Sequence, residues 1–229
     1  MNKWAQKLCT ICGPVGFVLF GIGLFPLAKF LPPPSPAATA EQISDIYSSN
    51  QLGIQLGAIV IMMSASLFIP FFSMITVIIK RIEGQDAPLA VTQIASAIMV
   101  VVFFFTGAML FAVTAFRPER SAELTQLMND FAWIMFISPG APAFVQTAGI
   151  GLAILSDKQA LPILPRWFGY LSLWIAILFV PAALAVIFKT GPFAWNGLLS
   201  FWVPAILVGG WSMMMAILMF QSINKRAVG

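Results

Sequence analysis

The chain has 229 residues, of which 60% are hydrophobic and only 9% charged, with a net charge of +4 and no histidine. A soluble domain averages about 45–50% apolar and about 25% charged residues, so this composition excludes water as the solvent of the surface and makes a lipid bilayer the first partner. The missing histidine removes His-ligated haem, the usual zinc and copper sites, the Ser-His-Asp triad and histidine proton relays; no metal, cofactor or catalytic residue is expected.

A spanning helix needs about 20 mostly apolar residues. Six stretches qualify, at 8–31, 51–79, 88–116, 131–155, 167–189 and 198–220. They predict an all-α, polytopic membrane helix bundle, a single transmembrane domain over 1–229 with a short amphipathic helix added on the outer side.

The first run opens with Cys9-Thr10-Ile11-Cys12, the spacing of a redox pair. With no second pair and no histidine to complete a metal site, the cysteines read as small apolar residues on one helix face. A basic start, an apolar run and Ala38-Thr39-Ala40 also fit a secretory signal and its cleavage site. The run exceeds an ordinary signal core, so it reads as the first span. Beyond it, Pro32-Pro33-Pro34-Ser35-Pro36 makes a stiff connection, and Thr39 caps a predicted short helix through Asn50, with Glu41 and Gln42 near its start and Asp45 and Tyr47 within it.

Spans two and three run about 29 residues, or about 43 Å as straight helices, against a hydrocarbon core of about 30 Å. They must tilt or project, and Gln51 and Gln55, one turn apart, mark a projecting outer end.

Residues 116–133 read FRPERSAELTQLMNDFAW and concentrate charge. Leu124, Leu127, Met128, Phe131, Ile134 and Met135 recur at helical spacing, with Ser121, Thr125, Gln126, Asn129, Asp130 and Trp133 opposite. Two placements fit this amphipathic helix: flat at the interface, apolar face down, or as an extension of span four, polar face turned into a vestibule. A buried Asp130 would then need Arg117, Arg120 or Lys189 beside it.

Span four carries Ser138-Pro139-Gly140-Ala141-Pro142, followed by Gln146 and Thr147. Two prolines and a glycine in so short a stretch predict a broken helix, a device that transporters use at binding sites; a plain junction between an outer helix and the span is the alternative. Between spans five and six, Lys189, Gly191 and Pro192 form a helix stop, Trp195 suits a membrane interface and Asn196 a cap for span six. Glycines such as Gly13, Gly16, Gly23, Gly209 and Gly210 predict close helix contact.

Lys and Arg set the orientation. Lys3, Lys7, Lys80, Arg81, Lys158, Arg166, Lys225 and Arg226 fall on one side, and Lys29, Arg117, Arg120 and Lys189 on the other. This bias predicts both termini in the cytoplasm. Because the basic residues sit at segment ends, they orient helices, and no nucleic-acid partner is expected.

FRPERSAELTQLMNDFAW together with PRWFGYLSLWIAILFVPAALAVIFKTGPFAWNGLLSFW resembles a group of uncharacterised bacterial multi-helix inner-membrane proteins with an FKTGPFAWNG-type segment. The resemblance covers most of the chain, including 32–50. It implies a small multi-pass protein of the bacterial inner membrane and carries over no activity and no functional residues.

Two functional classes follow. The first is a protein that binds or transports a small hydrophobic or amphiphilic molecule through an outward-facing cavity. Gln51, Gln55, Arg117, Gln126, Asn129, Asp130, Gln146, Lys189, Trp195 and Asn196 are its candidate ligand contacts. The second is a non-catalytic accessory subunit with a membrane-protein partner, consistent with plain helices rich in Phe and Met. Glu123 and Asp130 as an acid–base pair would need a nucleophile or metal cluster that the sequence does not display, which disfavours an enzyme.

Overall fold

A computed structural model describes residues 2–225 of the chain. Helices and their connections account for the described residues, and six of the helices are long and apolar enough to cross a membrane: Lys3–Leu27, Gln51–Glu83, Pro88–Phe116, Ala122–Ser156, Arg166–Val186 and Leu198–Asn224. The predicted all-α bundle is therefore observed. Six crossings bring Lys3 and Asn224 to one end, called here the terminal end, with the connections 84–87 and 157–165. Residues 28–50, 117–121 and 187–197 gather at the opposite, or cap, end. The predicted division of basic residues follows these two ends. Arg226 and the side chain of Lys225 lie outside the described residues.

Helix α1 (Lys3–Ile22) starts where the Asn2 side chain accepts from the Trp4 N–H. It runs into a π-helical turn, Gly23–Leu27, that contains Pro26. A left-handed Lys29 (φ 57°) then turns the chain. Asn50 holds this corner from across the cap, donating through Nδ2 to Leu27 O at 2.9 Å and Ala28 O at 3.1 Å. Helix α2 (Ala40–Ser49) has the predicted cap: Thr39 Oγ1 accepts from Gln42 N, and Gln42 Oε1 accepts from Thr39 N at 2.9 Å.

Helices α3 (Gln51–Glu83) and α4 (Pro88–Phe116) form a tight antiparallel hairpin. The Glu83 carboxylate closes it, accepting from Leu89 N at 3.1 Å and Ala90 N at 2.8 Å, two donors that the first turn of α4 would otherwise leave open. Helix α1 packs on α3 through small residues. A Cβ on Gly57 would lie 2.5 Å from Gly23 O, and Ser64 Oγ donates to Gly16 O at 2.7 Å.

Helix α5 (Ala122–Ile137) meets α6 (Gly140–Ser156) at Ser138 and Pro139, both with right-handed helical dihedrals. The predicted break is thus a compact junction inside one composite span. Ser138 Oγ donates to Ile134 O at 2.6 Å and Ala141 N to Ser138 O at 3.4 Å, so the carbonyl that Pro142 cannot serve keeps a partner. Helix α7 (Arg166–Phe179) continues as a 3₁₀ stretch, Val180–Val186, containing Pro181. After the cap-end connection, a π-helical turn, Leu198–Trp202, leads into α8 (Val203–Lys225).

The core falls into two clusters stacked along the bundle. Phe71, Ile75, Ile79, Phe168 and Trp211 anchor the one toward the terminal end. Phe30, Ile43, Ile54, Phe111, Trp133 and Phe136 anchor the one under the cap.

The candidate site: a central cavity beneath a pinned cap

A cavity of about 900 Å³ lies between the two clusters and extends from mid-depth to the cap. Its walls are α1, α3, α4, the α5–α6 junction, the end of α7 and the start of α8, contributing Phe17, Phe72, Phe104, Phe136, Phe179 and Trp202 among others. None of its lining residues is ionisable. The junction enters the wall directly through Pro139, Gly140 and Ala143.

The polar groups in this wall are few. Ser200 is buried and already committed, its Oγ donating 2.9 Å to Phe193 O. Gln146, Thr147 and Ser212 are also buried and line the cavity. Among the described residues, their side chains have no hydrogen-bond partner. One amide and two hydroxyls without a protein partner thus line one apolar space, a spot that favours a hydrogen-bonding guest. Gln146 and Thr147 sit about two turns past the junction on α6, and Ser212 lines the cavity from α8.

Of the predicted contacts, Gln146 is the one placed in the cavity wall. The others lie at the cap end, and several hold the cap together. Gln126 Nε2 donates to Ala38 O at 2.9 Å and Gln55 Nε2 to Ala115 O at 3.4 Å. Asn129, fully buried, accepts from the Tyr47 hydroxyl and donates to Asp130 Oδ1 at 3.4 Å. Burial pushes the Tyr47 hydroxyl well above the usual tyrosine range, so it stays protonated and donates. Asp130 is half-buried beside Asn129, with Lys189 within electrostatic reach. Arg117 and Lys189 are exposed, and Gln51 is half-buried in the first turn of α3. Arg120 reaches back to the last turn of α4, its Nη1 donating 2.8 Å to Val113 O.

Two local readings change. Trp195 is buried rather than interfacial, and its Nε1 donates 2.8 Å to Pro34 O, pinning the proline loop. Asn196 does not cap the last span; Gly197 holds the cap position, and Leu199 N instead donates to Pro192 O at 2.9 Å. The connection folds back on itself, so backbone carbonyls stand where the asparagine side chain was expected.

Helix α5 is part of the fourth span, as in the second predicted placement, but among the described residues its polar face opens into no vestibule of the cavity. Leu124, Leu127 and Phe131 are exposed, while Thr125, Asn129 and Trp133 are buried. The apolar face points outward because lipid is the outer solvent, and the polar face packs beneath α2.

Ser212 and the aromatic walls escaped the sequence reading. The sequence predicts Gly209 and Gly210 as packing residues. Gly209 does touch the Phe17 ring, but a Cβ on Gly210 would meet nothing within 4 Å.

Comparison with protein-family models, with curated proteins and with solved structures finds no match to the chain.

Proposed function

We propose that this integral membrane protein binds, and in that way carries, a small hydrophobic or amphiphilic molecule in its central cavity, within a bacterial inner membrane and with both termini in the cytoplasm. The observation that carries the reading is a cavity of about 900 Å³ with no ionisable lining residue and with Gln146, Thr147 and Ser212 buried in its wall. Ligand pockets run about 300–1,000 Å³ and combine apolar walls with a few orienting polar groups, as here. The cap-end polar residues support the site from above by holding α2, the proline loop and the last connection together. The basic residues at the terminal end support the orientation.

Purified protein is tested against a panel of apolar compounds by thermal stabilisation in detergent. A ligand at about 100 times its Kd stabilises by about 2.7 kcal/mol. The conservative change Gln146→Leu should keep the fold and weaken a hydrogen-bonding ligand about tenfold, while a pure hydrocarbon is unaffected. Stabilisation by no compound, or affinities in Gln146→Leu and Ala143→Phe proteins that match those of the natural chain, would reject the reading. Orientation is checked by labelling single cysteines placed at Lys158 and Thr190 from either side of the membrane.

A further inference from the structure

The cavity has one wall that is not closed by protein. On α1 and the π-helical turn that continues it, Val18, Ile22 and Phe25 line the cavity and are exposed at the same time. Their spacing puts them on one helix face. On α8, Ile206, Gly210 and Met213 do the same. A side chain that both lines a cavity and faces outward marks the rim of an opening. The glycines of the rim, both exposed, add no bulk there: a Cβ on Gly21 or on Gly210 meets nothing within 4 Å. The two helices touch where the Phe17 ring lies against Gly209, and the exposed lining residues flank this contact.

Both helices that flank the opening carry a π-helical turn toward the cap, Gly23–Leu27 in one and Leu198–Trp202 before the other. Such turns are uncommon and recur at functional sites. Phe25 and Pro26 of the first and Ser200, Phe201 and Trp202 of the second line the cavity. At the cap end, Leu31 lines the cavity from the loop that Trp195 pins through Pro34. The cap thus stands between the cavity and water, and the rim faces the direction of the lipid.

We infer that the cavity is loaded sideways from the bilayer, through the gap between α1 and α8, by an uncharged lipid with one long hydrocarbon chain and a hydroxyl or carbonyl group. This rests on the binding function proposed above. The chain fits walls of Phe and Trp, and the single polar group meets Gln146, Thr147 and Ser212. A charged head is disfavoured because no lining residue could neutralise it, and an unpaired buried charge is costly.

The test uses the full chain reconstituted in vesicles of phosphatidylcholine, with a long-chain monoacylglycerol carrying a photoreactive group near its chain terminus. Crosslinks are mapped to peptides and followed over time. In the natural chain they should fall on α1 and α8 residues of the cavity. Gly21→Phe with Gly210→Phe adds a ring on each side of the rim, at positions where a Cβ meets nothing within 4 Å, and should slow loading about tenfold or more, while protein loaded in detergent before reconstitution keeps its crosslinks. Ala143→Phe, which fills the cavity itself, should abolish them by either route. The matching fatty acid, ionised, should crosslink about tenfold less.

Normal loading in the double variant, with crosslinks still lost in Ala143→Phe, would overturn lateral entry and leave binding intact. Equal crosslinking by the fatty acid would overturn the uncharged class. Cavity crosslinks unaffected by Ala143→Phe would overturn binding itself. A change of oligomeric state in the double variant would make this face a contact between copies, which also overturns the portal.

Discussion

The Tyr47 hydroxyl donates to Oδ1 of Asn129 at 3.2 Å, joining α2 to α5 across 82 residues of sequence inside a buried environment. Phe30, Phe111 and Trp133 surround this region, with Phe30 packed edge-on to both Tyr47 and Phe111. Tyr47→Phe should keep the ring contacts and leave the amide oxygen short of a donor. The expected loss is about 1–2 kcal/mol, read as a lower unfolding temperature in detergent.

The same hydroxyl makes a pH prediction. Its folded pKa is raised by burial, so the folded protein holds the proton when the unfolded chain releases it. Stability from this group is therefore fully present below about pH 10, the ordinary tyrosine value, and is lost as pH rises above it. The tyrosinate absorbance due to Tyr47 should appear only with unfolding, and Tyr47→Phe should remove that component. Its appearance in folded protein would contradict the buried placement.

Trp195 and Pro34 are joined by one bond that holds the proline loop down. Trp195→Phe keeps most of the buried ring and deletes the donor. A cost of about 1 kcal/mol is expected, with faster protease cleavage within residues 32–38 as the local readout. Unchanged cleavage would show that packing alone holds the loop.

Glycine substitutions should separate contact from opening. Gly57→Ala places a Cβ 2.5 Å from Gly23 O, against backbone that cannot move aside, and should destabilise by about 1–3 kcal/mol. Gly21→Ala meets nothing within 4 Å and adds a better helix former, so it should be neutral or stabilising by up to about 1 kcal/mol. Thermal unfolding of the two variants side by side checks the contrast.

Glu83→Gln should keep a hydrogen-bond acceptor at the start of α4 but remove the negative charge near its N-terminus. Because the new NH2 cannot accept from one of the two N–H groups, a hydrogen bond is lost with the charge; the expected cost is about 1–2 kcal/mol, visible as faster amide exchange at Leu89 and Ala90.

Much of the fold could be read in the sequence because its dominant force is one-dimensional. Runs of apolar residues long enough to cross a bilayer identify themselves, and Thr39 with Gln42 announces a capping box by spacing alone. The orientation of α5 was not readable in this way. Its periodicity separates Leu127 from Asn129, but periodicity is the same whether the apolar face meets a core or lipid. Trp195 was misplaced because its partner is a backbone carbonyl more than 160 residues earlier, and no local signal points to it. The cavity belongs to the same class. Gln146 could be singled out as a polar residue beside two prolines, whereas Ser212 gains meaning only when α8 is seen to face α6.

The chain from Phe25 to Leu31 belongs to two parts of the site. Phe25 stands at the lateral rim and Leu31 in the wall beneath the cap. Six residues separate them, at most about 20 Å even fully extended. Asn50 holds the corner between them through the carbonyls of Leu27 and Ala28. Doorpost and lintel are thus one short length of chain hung on a single asparagine. The proposed side entry and the top cover would share one short, tethered length of chain.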